Sequence, residues 1–204
     1  MSKIAIIGAT GNVGSQLLAE ALRRGHTVTG IARDASSLEK RDGVAARNVD
    51  LFDADALAQA VAGHDAVFSS ARFDGVPASA IVEPVKKAGV KRLLVVGGAG
   101  SLYAAPGMRV IDAPNFPPQY KTEAAAGAAF LDALRTEKDL DWTFVSPSAE
   151  FVDGKRTQSF RIGRDELLVD ANGRSWISFQ DFAIAFLDEF EKSAHVRQRF
   201  TVGY

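Results

Sequence analysis

Short apolar runs alternate with amphipathic segments along most of the chain. The runs Ile4–Ile7, Val28–Ala32, Ala45–Val49, Ala66–Ser70, Arg92–Val96 and Trp142–Ser146 have strand length and are mostly hydrophobic, as expected of strands buried on both faces of a sheet. Between them, apolar residues recur at helical spacing. Val13, Leu17, Leu18, Ala21 and Leu22 share one face of a helix that ends at Arg23-Arg24-Gly25, a basic last turn with a capping glycine. Further helices are predicted over Ala54–Ala62, Ala78–Lys87 and Gln119–Glu137. Asp53 is suited to cap the first, Pro84 interrupts the second, and Pro117-Pro118 marks the start of the third. This alternation predicts an α/β fold with a doubly wound, mostly parallel sheet.

The rhythm changes after Ser146. Lys155–Ile162 and Glu166–Val169 read as short extended pieces around turns at Asp153-Gly154 and Asn172-Gly173. A helix is predicted over Gln180–Lys192, with Phe182, Ala185, Phe186, Glu189 and Phe190 at helical spacing, and a last strand in Arg199–Tyr204. The aromatic stripe reads as core packing. The chain is expected to form one domain over 1–204, in which 146–204 builds a small cap at the carboxyl edge of the sheet.

Composition narrows the classes. Of 204 residues, 47% are hydrophobic and 24% charged, the net charge is −1, and there is no cysteine. That balance argues against nucleic-acid or anionic-membrane partners and removes disulfides, thiol nucleophiles and cysteine metal sites. His26, His64 and His195 are scattered and expected at surface or turn positions, with no metal site among them. No leader or spanning segment is apparent, so a soluble cytoplasmic protein is expected, as a monomer or homodimer.

The chemistry begins where the first strand meets the first helix, at Gly8-Ala9-Thr10-Gly11-Asn12-Val13-Gly14. Gly8 lets the chain turn sharply off the strand, Gly11 lets backbone approach a pyrophosphate, and Gly14 lets the helix pack against its strand. The new helix offers unpaired N–H groups to phosphate. In this strand–helix context the motif predicts a nicotinamide dinucleotide site in which Gly8, Thr10, Gly11, Asn12, Val13 and Gly14 touch the cofactor.

In such sheets ligands lie at the carboxyl ends of the strands, near the switch in strand order. The second strand ends in Arg33-Asp34, with Arg33 nineteen residues after Gly14. A guanidinium there suits a 2′-phosphate and favours NADP(H) over NAD(H). Asp34 either holds a ribose hydroxyl or caps the following Ala35–Lys40 turn. The third strand leads to Asp50 and Leu51, which either meet the adenine or simply turn the chain into the next helix. After the fourth strand, Ser70 and Ala71 leave room for the cofactor, and Arg72 either meets an anion or is solvated. Gly97 opens a stretch of 22 residues to Pro118 with no strong periodicity; its length and position suggest a substrate-binding lid. The sixth strand ends in Pro147-Ser148, where the Ser148 N–H is a candidate donor to the nicotinamide carboxamide.

Taken together, GATGNVG, the Arg33 strand end, VVGGAGSL (Val95–Leu102), DAPNFPPQYK (Asp112–Lys121), DLDWTFVSPS (Asp139–Ser148) and RQRFTVGY (Arg197–Tyr204) resemble one family across nearly the whole chain. It is the NADH-flavin reductase-like, NAD(P)H-binding branch of the atypical short-chain dehydrogenase/reductases, related by fold to NmrA-like redox sensors and to biliverdin/flavin reductases. The resemblance implies a Rossmann fold and hydride transfer from NAD(P)H to a flavin or similar flat acceptor, with flavin as substrate rather than bound group. It maps nicotinamide-side contacts onto Gly97, Ser101, Pro147 and Ser148. One departure from the wider superfamily matters: Tyr120 has Ala124, Tyr103 has Gly107, and Tyr204 has nothing where a Tyr-x-x-x-Lys acid would place its lysine. Carbonyl chemistry and nucleotide-sugar epimerisation lose their acid, whereas flavin reduction relies mainly on positioning. Ser101 and Tyr120 are the candidate catalytic side chains. A non-catalytic NADP(H)-binding sensor is the competing expectation.

Overall fold

The computed structural model describes residues 1–38 and 42–204. In chain order the strands are β1 (Lys3–Ile7), β2 (Thr27–Ala32), β3 (Val44–Asn48), β4 (Ala66–Ser69), β5 (Arg92–Val96), β6 (Tyr103–Ala105), β7 (Met108–Arg109), β8 (Asp141–Pro147), β9 (Glu150–Val152), β10 (Arg161–Gly163), β11 (Trp176–Ser178) and β12 (Gln198–Gly203). The helices are α1 (Asn12–Arg23), α2 (Ala54–Val61), α3 (Ser79–Lys87), α4 (Lys121–Thr136) and α5 (Phe179–Lys192). An eight-stranded sheet runs β10-β12-β8-β5-β4-β1-β2-β3, parallel except for the edge strand β10. Strand order reverses between β1 and β4, and this opens a crevice at their carboxyl ends.

Each face of the sheet carries its own core. Leu17 and Leu18 of α1 and Phe182 and Phe186 of α5 pack on one face with Ile4, Ile6, Phe68 and Phe200. On the other face, Leu57, Val61, Ile81, Val85, Phe130 and Leu134 of α2, α3 and α4 cover Ala5, Ile7, Val67, Leu93 and Val95. Alternate residues of one strand serve opposite cores, which explains the unbroken hydrophobicity of β1 and β5. Helix ends follow local chemistry. The Asp53 carboxylate accepts the Ala56 N–H at 3.0 Å to start α2, and the Ser178 hydroxyl accepts the Asp181 N–H at 3.0 Å to start α5. After α1, Gly25 adopts φ +80°, the left-handed turn expected there.

The tail differs from expectation. Glu166–Val169 forms no strand; Glu166 makes a lone bridge to Tyr103. Of Lys155–Ile162 only the end, in β10, is a strand; residues 153–160 run as an irregular strap held by side chains. Arg156 in this strap donates to both oxygens of Glu20 at 3.1 Å. Nor is 146–204 merely a cap: β12 joins the main sheet beside β8, and α5 packs against α1. Only β9 and β11 form a separate small sheet there. The helix predicted from Gln119 begins as a 3₁₀ turn over Pro118–Tyr120 and becomes α-helical at Lys121. Helix α3 runs through Pro84. His26 is buried rather than at the surface, accepting the Ser2 N–H and facing Glu191. His64 and His195 lie at turns. No helix among the described residues is long and apolar enough to cross a membrane, and none of their His, Asp or Glu side chains group into a metal site.

Candidate functional site

Two cavities open at the carboxyl edge of the sheet. The first, about 540 Å³, lies over the switch between β1 and β4 and is lined by Gly8, Thr10, Gly11, Arg33, Asp50, Leu51, Phe52, Ser70, Ala71, Arg72 and Val76, among others. The turn from β1 is tightly closed. Gly8 has φ +78° and a Cβ there would stand 2.7 Å from the Ser70 carbonyl oxygen; one on Gly14 would stand 2.1 Å from the Gly8 oxygen. Only glycine permits these approaches. Gly11 precedes α1 without a side-chain cap, so the N–H groups of Asn12, Val13 and Gly14 have no acceptor among the described residues; of this turn Gly8, Thr10 and Gly11 line the cavity, and Asn12, Val13 and Gly14 lie behind them. Arg33 is exposed at the cavity wall and pairs with no carboxylate among the described residues.

Two of the strand-end carboxylates take part in their own turns. The Asp34 carboxylate accepts the Ser36 N–H at 3.0 Å, and this bond holds its pKa below the usual carboxylate range. One oxygen thus caps the turn, of which residues 39–40 lie outside the described residues. Asp50 likewise accepts the Phe52 N–H at 3.0 Å, leaving one carboxylate oxygen open to the cavity. Arg72 is exposed, 3.6 Å from the Glu123 carboxylate.

The second cavity, about 590 Å³, is lined by Gly97, Gly98, Gly100, Ser101, Val110, Phe116, Tyr120, Glu123, Ala124, Pro147, Ser148, Glu150, Phe151 and neighbours, with Phe73 as one wall. The segment after β4 divides the two: Ala71, Arg72 and Asp74 line the first and Phe73 the second. Glu123, in the first turn of α4, holds this divider by accepting the N–H groups of Phe73 and Asp74, each at 2.9 Å. A Cβ on Gly98 would meet nothing within 4 Å, so the floor of the second cavity is open at that point. The Gly97–Pro118 stretch contributes this floor and one wall. It is more ordered than its sequence suggests, with a β6–β7 hairpin and Leu102 and Ile111 buried beneath it.

Ser101 lines the second cavity with a charged neighbour behind it. The Arg199 guanidinium has a side-chain exposure of 2%, is held by Asp165, and stands 3.4 Å from the hydroxyls of Ser101 and Ser146. Arginine can only donate, so the Ser101 oxygen accepts and its hydrogen is free to point into the cavity. Tyr120 also lines this space and is largely exposed, with no hydrogen bond to its hydroxyl among the described residues. Ser148 corrects the expectation placed on it: its N–H and hydroxyl both donate to the Val202 carbonyl at 3.1 Å. Neither donor remains to meet a nicotinamide, and Pro147 has no N–H to offer. Ala124, at the position a Tyr-x-x-x-Lys pair would give to lysine, is packed against Gly100, where an added Cβ would stand 2.7 Å from the Ala124 Cβ.

The residues not anticipated are Phe52, Phe73, Phe116, Phe151, Glu123, Glu150 and Arg199. Phe52 directly follows Leu51 and is 67% exposed at the first cavity, an aromatic that a strand-end reading could have included. Phe73, Phe116, Phe151, Glu123 and Glu150 reach the second cavity, and Arg199 stands behind its Ser101, from separate stretches of chain that no local pattern connects.

Comparison with known proteins gives the family and the fold. Residues 8–190 match the model of a family described as NAD(P)H-binding, and the chain belongs to that family. It is 42% identical to the protein YwnB of Bacillus subtilis (strain 168), over 98% of this chain and 97% of that one. A crystal structure of a "putative epimerase" from Bacteroides thetaiotaomicron is 40% identical with TM-score 0.94, covering 100% of this chain and 97% of that one. A "putative NADH-flavin reductase" from Streptococcus pneumoniae TIGR4 is 36% identical with TM-score 0.86, covering 100% and 99%. A short-chain dehydrogenase/reductase from Veillonella parvula DSM 2008 in complex with NADP shares the Rossmann fold, with TM-score 0.82 at 18% identity over 100% of this chain and 94% of that one.

Proposed function

We propose that this protein is an NADPH-dependent reductase that passes hydride to a flavin or comparable flat acceptor. The observation that carries this reading is the pair of adjoining cavities. One is lined by the glycine turn below the start of α1 and by Arg33, and the other is mostly apolar and glycine-floored. The glycine turn, Asn12–Gly14 and Arg33 would hold the pyrophosphate and 2′-phosphate; Asp50, Leu51 and Phe52 would hold the adenosine. Bound NADPH would supply two electrons and one proton as hydride, leaving NADP⁺, while water supplies the second proton of the reduced acceptor.

The chain's own residues orient and enclose. Phe73 and Phe151 offer apolar surface to a flat ring, Ser101 offers one hydrogen-bond donor, and Glu123 keeps the divider in place. The missing lysine partner of Tyr120 removes a tuned proton donor for alkoxides, which disfavours carbonyl reduction and epimerisation but not reduction of a ring that spreads its own charge. The Streptococcus relative's name supports this reading and the Bacteroides relative's name does not. Steady-state NADPH oxidation with riboflavin is the test. Saturable turnover above the rate without protein is expected; tight NADPH binding without turnover on any flavin or quinone would instead favour a redox sensor.

A further inference from the structure

We propose that the second cavity selects an acceptor with no anionic group: a neutral flat ring such as an unphosphorylated isoalloxazine or a quinone. This rests on the reductase reading and adds the charge class of its substrate. The charged side chains lining the cavity are carboxylates, Glu123 and Glu150, and no lysine, arginine or histidine lines it among the described residues. Side-chain recognition of phosphate ordinarily uses guanidinium or ammonium groups, and among the described residues the lining of this cavity presents neither.

The nearby cations face these carboxylates or are buried. Arg174 donates to Glu150 at 2.6 and 2.9 Å and lies over the Trp176 ring at 4.4 Å from its centroid. Arg72 faces Glu123, and Arg199 is buried behind Ser101 in its bond to Asp165. The polar groups that remain for a ligand suit a neutral ring. Ser101 is left as a donor by Arg199, whereas the Ser148 hydroxyl is spent on Val202. A phosphorylated side chain entering here would approach two carboxylates whose own arginines already face them, with no further cation in the lining to offset its charge, at a cost that weakens with salt.

The test measures dissociation constants of riboflavin, FMN and menadione for the NADP⁺-loaded protein at low salt, by flavin fluorescence or by competition, alongside turnover with NADPH. Riboflavin and menadione are expected to bind, FMN about fivefold or more weakly than riboflavin. The gap should narrow in Glu150→Gln and at high salt. Glu150 is exposed, so this variant folds. FMN binding as tightly as riboflavin, or no binding by any of the three, overturns the proposal. Selective binding of riboflavin without NADPH turnover would leave this charge selection standing and remove the reductase reading.

Discussion

The Glu123 carboxylate accepts the backbone N–H of Phe73 at 2.9 Å, and through this contact the first turn of α4 fixes the wall between the two cavities. The second oxygen accepts the Asp74 N–H at the same distance. A carboxylate serves two adjacent N–H groups because all of its lone pairs accept. Glu123→Ala should destabilise the fold by about 1–3 kcal/mol, the range for losing bonds to a charged acceptor, read as a lower urea midpoint. The same variant should raise KM for the acceptor more than KM for NADPH, because Phe73 lines the acceptor side. Glu123→Gln, with one acceptor oxygen, should fall between. Equal KM changes for both substrates would show that the divider does not position the acceptor.

Arg33 has no carboxylate partner among the described residues and stands at the wall of the first cavity. Asp34 beside it accepts the Ser36 N–H in its own turn, which leaves the Arg33 guanidinium unpaired and able to meet a 2′-phosphate. Arg33→Ala should weaken NADPH binding by about 1.5–3 kcal/mol, roughly 10- to 100-fold, with little change for NADH. Isothermal titration with both cofactors decides this, and equal losses would remove Arg33 as a 2′-phosphate ligand.

How much of this arrangement the sequence carries depends on the range of the contacts. The β1–α1 turn, the Asp53 cap and the Arg33 strand end are set by neighbours within a few residues, so periodicity and glycine spacing expose them. The tail is different. β12 pairs with β8 in the register Gln198↔Thr143, and the strap at 153–160 is tied by Arg156 to Glu20 and by Thr157 and Gln158 to Asp181. Nothing local marks such partners. The same distance hides Arg199 behind Ser101 and gives Ser148 a partner in Val202. An apparently free N–H at a strand end becomes a spent one once a distant strand is laid beside it.

Glu20 is buried on α1 beneath Arg23, Arg24 and Arg156. Burial alone would raise its pKa, but the hydrogen bonds from Arg156, Arg24 and Arg23 outweigh it and hold the carboxyl below its ordinary value of 4.5. The unfolded chain therefore takes up this proton more readily than the folded one. The resulting stabilisation is fully present above the unfolded pKa and is lost as pH falls through the lower folded value. Glu20→Gln should cost about 1–3 kcal/mol at neutral pH and flatten the decline of stability below pH 4.5. Urea unfolding of both proteins from pH 7 to pH 3 measures this; parallel acid limbs would show that Glu20 does not titrate differently on folding.

Ser101 and Arg199 make the last case, because one is expected to act through the other. Arg199 donates toward the Ser101 oxygen at 3.4 Å, at the long end of hydrogen-bond range, while Asp165 anchors the guanidinium. The serine hydrogen is thus left for the acceptor ring. Ser101→Ala should lower kcat for riboflavin reduction about tenfold with little change in NADPH affinity. Arg199→Lys keeps a cation but loses the planar fork, and should also lower kcat, by a smaller factor. In the double variant the losses should not multiply, since without the Ser101 hydroxyl the guanidinium has nothing in the cavity to orient. Multiplicative losses, with unchanged unfolding midpoints, would separate the two residues and make Arg199 a structural support of β12 alone.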